Sequence, residues 1–266
     1  MPRIRTTFAR GFLLVASTPA LAFGLPLAAL AAWSALLSFG FQGPFSLLTA
    51  LFAYPPVGTY ADGVLSASVF GGTAGAQLAI FGFLIVRAAF MALIATTTIE
   101  RLRSGRVTTW SLLRAARILP TTITVNVAGL ALLIIGNIVG AFLGPGLGLL
   151  AFVSAMVAGM YLFAFAPAIA ADEDRTMPAV MTRSVRGARM PGSGNLTLAV
   201  TATFGSWAIL VSPIPGSQIG VNPSALAWGI VLFVNLLHVA VQATFAVRYL
   251  AVATEIPEMP APRRTR

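Results

Sequence analysis

The chain has no cysteine and no lysine, a single histidine, and acidic residues at only seven of its 266 positions. Without cysteine there are no disulfides, thiolate metal sites or cysteine nucleophiles. One histidine all but excludes the usual zinc ligand sets, so neither a metal nor a cofactor is expected. Charged residues amount to 9% and apolar residues to 58%, whereas a soluble domain carries about a quarter charged. Several runs of roughly 20 apolar residues mark a polytopic membrane protein. Every basic side chain apart from His238 is arginine, giving a formal net charge of +10 and a pI near 11.6. On a soluble protein that would suggest nucleic acid. Here the arginines cluster beside apolar runs, which is the mark of membrane orientation, and no nucleic-acid partner is expected.

The opening MPRIRTTFARGFLLVASTPALA is similar to a secretory signal, with a basic start and a small-residue triplet. The apolar run nevertheless continues to about Phe41, so an uncleaved anchor is expected. Thr6 to Ser17 reads as an interfacial helix with Arg10 toward headgroups and Phe8, Phe12 and Leu13 toward acyl chains. Pro19 ends it, and Leu21 to Phe41 is the first span. Phe45 to Tyr54 is apolar but too short to cross, hence interfacial or re-entrant. Further spans follow at about Ala76–Ile99, Thr121–Leu143, Leu147–Ile169, Leu196–Pro213 and Ala225–Ala251. Gly144-Pro145-Gly146 is so short a link that the third and fourth spans make an antiparallel hairpin. Gly136, Gly140 and Gly144 recur at four-residue spacing and allow close helix approach.

One unit recurs. Shifted by 72 positions, Glu100, Arg103, Arg114 and Arg117 fall on Asp172, Arg175, Arg186 and Arg189. Each copy reads as a span, a short basic surface helix, a proline (Pro120 or Pro191) and a second span. Pro19 closes a looser third copy. Asp172, Glu173 and Asp174 suit the N-terminus of the second surface helix. The fold expected is all-α: six transmembrane helices as three hairpins, with short interfacial amphipathic helices. Residues 1–255 make one domain and 256–266 a disordered proline-rich tail. Fifteen of the 17 arginines lie in the N-terminal segment, two loops and the tail. The positive-inside rule then puts both termini in the cytoplasm of a bacterial or archaeal cell membrane.

Arg87 lies inside a span, 13 residues before Glu100 and so roughly 20 Å deep. A charge at that depth costs at least about 2.5 kcal/mol. Asn235, His238 and Gln242 share one face of the last span, and with Asn137 they reach similar depths. Arg87, Asn137, Asn235, His238 and Gln242 are therefore a candidate intramembrane anion or headgroup site. Alternatively Arg87 snorkels and the amides tie helices together. Arg114, Arg117, Arg183, Arg186 and Arg189 are candidate contacts for anionic lipid headgroups. Loops 100–120 and 172–195 are candidate docking sites for a cytoplasmic protein. The Asn195-Leu-Thr glycosylation triplet lies on the cytoplasmic side and is expected to be inert.

The segment FAPAIAADEDRTMPAVMTRSVRGARMPGSGNLTLAV resembles a stretch of six-span proteins related to the membrane domain of some bacterial glycerophosphodiester phosphodiesterases. The pattern is an acidic residue closing an apolar helix, then Ala, an Arg-Ser pair and Gly. Asp172 or Glu173, Ala179, Arg183-Ser184 and Gly187 occupy those places. The catalytic barrel of those enzymes is missing, so the resemblance implies a membrane module only. With no acid–base or nucleophile set in view, a non-enzymatic, lipid-associated accessory or structural protein is expected. The alternative is the permease subunit of a transporter served by a separate ATPase.

Overall fold

A computed structural model describes residues 4–38, 48, 51–53, 74–191, 194–211 and 225–257. Among them every regular element is helical: α1 (Ile4–Ala16), a π-turn (Ala20–Gly24), α2 (Leu25–Ser38), α3 (Ala74–Ser104), α4 (Trp110–Leu143), α5 (Pro145–Phe163), α6 (Ala166–Asp172), α7 (Met177–Ala188), α8 (Asn195–Val211) and α9 (Ala225–Val252). Phe81–Ser104, Trp110–Leu143, Pro145–Asp172 and Ala225–Val252 are each long and apolar enough to cross a membrane. Ile4–Ala16 and Ala20–Ala35, bent by 78°, add a fifth if the pair is one broken span. α8 is 17 residues long. The expected loops 42–47, 54–73 and 212–224 lie outside the described residues.

Burial sorts the helices. In α3 and α9, 67% of the most apolar window is enclosed, against 39% and 33% in α4 and α5–α6. α3 and α9 thus form the centre, and α4 with α5 stands at one side. The outward residues of that side pair, among them Ile135, Ile138, Phe142, Leu147 and Leu150, are apolar and exposed, as lipid contact requires. Gly144, at φ 81°, turns α4 into α5, and Gly140 meets the backbone of Gly148 across the turn. A Cβ on Gly140 would come within 3.0 Å of the Gly148 carbonyl oxygen. The glycine spacing therefore serves packing within the chain.

Pro120 does not separate a surface helix from a span: α4 runs unbroken for 34 residues through it. At about 1.5 Å per residue that is about 51 Å, well beyond the roughly 30 Å hydrocarbon core. α4 is therefore longer than one crossing needs, and its first turns carry Arg114 and Arg117. In the second copy the helix does stop, because MPGSGN supplies both a proline and Gly194 at φ 68°. ILPTT around Pro120 offers no such glycine. Pro167 acts as a breaker on α5, since its ring would meet the carbonyl of Phe163. The helix ends there and resumes as α6. Ser184 Oγ on α7 donates to the Leu162 carbonyl beside that break, at 2.8 Å.

α1 is also more than an interfacial helix. Thr7, Gly11 and Val15 are buried, and α1 packs along α9 with Gly11 against Thr244. Phe12 and Leu13 are exposed as expected. At the other end Ile256, assigned from sequence to the tail, is buried against Gly187. Residues 258–266 lie outside the described residues.

Candidate functional site

The polar groups foreseen inside the membrane are all buried except Asn137. Asn137 is exposed and lines a groove of about 510 Å³ beside the Gly144 turn, away from the others. The interior asparagine of α4 is Asn126, whose Nδ2 donates to the Thr122 carbonyl at 2.8 Å.

Arg87, on α3, is 1% exposed. Its Nη2 donates to the carbonyl of Ala53 at 2.6 Å. Gln242, on α9, donates its Nε2 to the carbonyl of the preceding residue, Phe52. Two side chains from the two central helices thus hold two successive backbone acceptors. Leu48, Leu51, Phe52 and Ala53 are at most 1% exposed and pack with Leu21, Phe83, Phe90 and Ala243. These described residues of the short apolar segment are enclosed within the bundle rather than laid on its surface. Backbone carbonyls in an apolar interior require donors, and Arg87 and Gln242 supply them.

Asn235 and His238 are each 1% exposed. His238 sits one turn from Gln242 but faces elsewhere. It lines a cavity of about 290 Å³ with Phe8, Phe12 and Ser206, between α1, α8 and α9. The shared face on α9 is thus divided, with Gln242 turned to Phe52 and His238 to the cavity beside α1 and α8.

Because the native chain lacks cysteine, Ala53→Cys gives a clean probe of the segment. We expect slow labelling by a membrane-permeant maleimide in the otherwise native protein. Arg87→Leu should accelerate it about tenfold, since a hydrogen bond from a charged donor contributes about 1.5 kcal/mol or more. Gln242→Ala should act in the same direction. Unchanged labelling in both variants would show that neither side chain holds the segment.

The densest polar cluster lies at the arginine-rich end. Asp172 accepts both Nε and Nη2 of Arg103, at 2.9 and 2.7 Å. Glu173 accepts Nε of Arg183 at 2.7 Å and also pairs with Arg175. The Tyr249 hydroxyl lies 3.0 Å from Asp172 Oδ2 and 2.7 Å from Glu173 Oε1. With one proton it donates to one carboxylate at a time. Arg183 Nη2 also donates to the Ala253 carbonyl, at 2.9 Å. The cluster ties α3, α6, α7 and α9 together.

This corrects two sequence expectations. The acidic triplet does not cap α7, which begins at Met177 with no acid in its first turn. It closes α6, whose last residue is Asp172, and its members pair with arginines, Asp174 with Arg117. Arg183, expected among the outward-facing arginines, is instead turned inward, its side chain only 10% exposed. Arg114 and Arg189 are exposed, and Arg186 is half-buried.

A second buried arginine, the one placed by sequence inside the last span, was not among the candidate site residues. Arg248 is 1% exposed, and its Nε donates to Asn195 Oδ1 at 3.0 Å. Asn195 Nδ2 in turn donates to the Gly187 carbonyl at 2.8 Å. The amide that a glycosylation triplet would offer is thereby engaged and buried. The residues that carry the family resemblance also have packing roles. Asp172 and Glu173 pair with arginines, Arg183-Ser184 bonds two neighbouring elements, and Gly187 makes room for Ile256 and Phe165.

No family profile, curated protein or solved structure matches this chain. Among the described residues no group of three His, Cys, Asp or Glu is arranged to hold a metal ion.

Proposed function

We propose that the chain is a six-span protein of a bacterial or archaeal cell membrane, with both termini in the cytoplasm. It works without catalysis, as a lipid-associated accessory or structural module. One observation carries this reading: three membrane-buried donors that would serve a solute site are engaged with the chain's own backbone and amides. Arg87 holds Ala53, Gln242 holds Phe52, and Arg248 holds Asn195. Meanwhile Trp110, Leu112 and Leu113 stand 72%, 58% and 63% exposed beside the exposed Arg114. A cation among exposed aromatic and aliphatic groups at a helix start suits a headgroup layer.

The six-span arrangement takes α1–α2 as one broken crossing and α8 as another, each pair of crossings forming a hairpin. Single cysteines at Gly146 and Arg106 test it in intact cells. An impermeant maleimide should label Gly146→Cys from outside and Arg106→Cys only after permeabilisation. The reverse pattern would overturn the orientation. For function, the chain purified in native nanodiscs should retain phospholipid and bring no ATPase with it. A co-purifying ATPase whose turnover the chain stimulates would establish the permease alternative instead.

A further inference from the structure

We infer that the groove between the end of α3 and the start of α4 binds a membrane phospholipid with an amine-bearing zwitterionic headgroup, of the phosphatidylethanolamine class. The inference rests on the lipid-associated reading above and names the ligand of that surface. The groove has a volume of about 430 Å³ and is lined by Glu100, Trp110, Ser111, Leu113, Arg114 and Arg117. That is room for a headgroup rather than for a single ion.

Its charge pattern selects the headgroup. Arg114 is exposed, and Arg117, 65% exposed at its side chain, pairs with Asp174. Glu100 stands in the same lining. Arg117 is thus matched by Asp174, which leaves Arg114 and Glu100 as the opposite charges within the lining. A purely anionic headgroup gains from Arg114 but meets Glu100. A zwitterion satisfies both, with phosphate to Arg114 and ammonium to Glu100.

The bonding of Glu100 points the same way. Oε1 accepts from the Thr108 hydroxyl at 2.6 Å, while Oε2 has no hydrogen-bond partner among the described residues. A carboxylate oxygen shielded from water and lacking a donor is costly. An ammonium in the groove would supply the missing donor to that carboxylate once a small side-chain shift opens Oε2 to it. The source is a membrane lipid rather than a free amine phosphate because Trp110 and Leu113 flank the groove, exposed to 72% and 63%. These side chains suit the boundary between headgroups and acyl chains.

The test uses the full chain in nanodiscs, with quenching of Trp110 fluorescence by lipids brominated in their tails. Trp110→Phe isolates that tryptophan's share of the signal. We expect phosphatidylethanolamine to quench at about tenfold lower mole fraction than phosphatidylglycerol or phosphatidylcholine, the last lacking N–H donors. Glu100→Gln should bring the three lipids level, and Arg114→Gln should weaken all three. The order in the native protein tests the proposal without any variant at Glu100. Equal or stronger quenching by phosphatidylglycerol would overturn the amine assignment and leave lipid association standing. Equal quenching by phosphatidylcholine and phosphatidylethanolamine would overturn the role of the N–H donors. No quenching by any lipid would overturn both the groove and the reading on which it rests.

Discussion

Glu173→Gln should lower the thermal midpoint of the purified protein by about 6–12 °C, the largest effect expected of any single polar substitution here. Glu173 accepts from Arg183 and Arg175 and stands against the Tyr249 hydroxyl. Its side chain and that of Arg183 are only 16% and 10% exposed. Removing one member of an enclosed pair leaves the other charge without its counterion, which costs about 3 kcal/mol. For a chain of this size each 1 kcal/mol moves the midpoint by about 2–4 °C. Glu173→Gln combined with Arg183→Met should recover part of the loss, since the stranded charge is gone. By contrast Arg117→Gln touches a pair exposed to 65% and 81% and should cost under about 1 kcal/mol. Melting in detergent, followed by tryptophan fluorescence, reads all three. Equal shifts for Glu173→Gln and Arg117→Gln would show that the cluster does not hold the helices together.

Gly11→Leu should detach α1 from α9. A Cβ at Gly11 would stand 2.2 Å from Thr244 Oγ1 and 2.9 Å from the Thr244 backbone N and Cα. A hydroxyl can rotate away, but backbone at the middle of a central helix cannot. Overpacking of this kind costs about 1–3 kcal/mol where the structure can relax. Here the cheaper response is release of α1, with Thr7 and Val15 losing their cover. Hydrogen exchange over residues 4–16 should rise by at least about tenfold if about 1.4 kcal/mol of docking is lost. Gly24→Ala is the control, because nothing lies within 4 Å of a Cβ there. If exchange rises no more in Gly11→Leu than in Gly24→Ala, the close approach of the two helices is not what holds α1.

Much of the frame was legible from residue order. The all-helical class, the Gly144 turn and the last span follow from apolar run lengths, glycine and proline. The depth match between Arg87 and Gln242 also came from counting, and the structure brings both to successive carbonyls, those of Ala53 and Phe52. What they hold there was not legible, because backbone carbonyls carry no mark in a sequence. Asn137 was misplaced for a related reason: depth along a helix says nothing of which way the side chain turns, and Asn126 is the one that turns inward. Pro120 misled because a proline removes one hydrogen bond without deciding whether a helix stops. The missing neighbour was a glycine, present near Pro191 and absent near Pro120. The acidic triplet misled because proximity in sequence to α7 hid its partners on α3 and α9. Tyr249, just past Arg248 at the end of an apolar run, was the one local hint of that cluster.

The contact between Gly11 and Thr244 joins the first helix to the last, across most of the polypeptide. During translation α1 leaves the ribosome long before its partner exists, so it has no α9 to pack against while the intervening helices are made. The same delay applies to the Phe52 carbonyl, whose donor Gln242 is among the last residues to be synthesised. Closure of the bundle is therefore a late event in biogenesis, and a product truncated ahead of Ala225 would lack the partner for its own beginning.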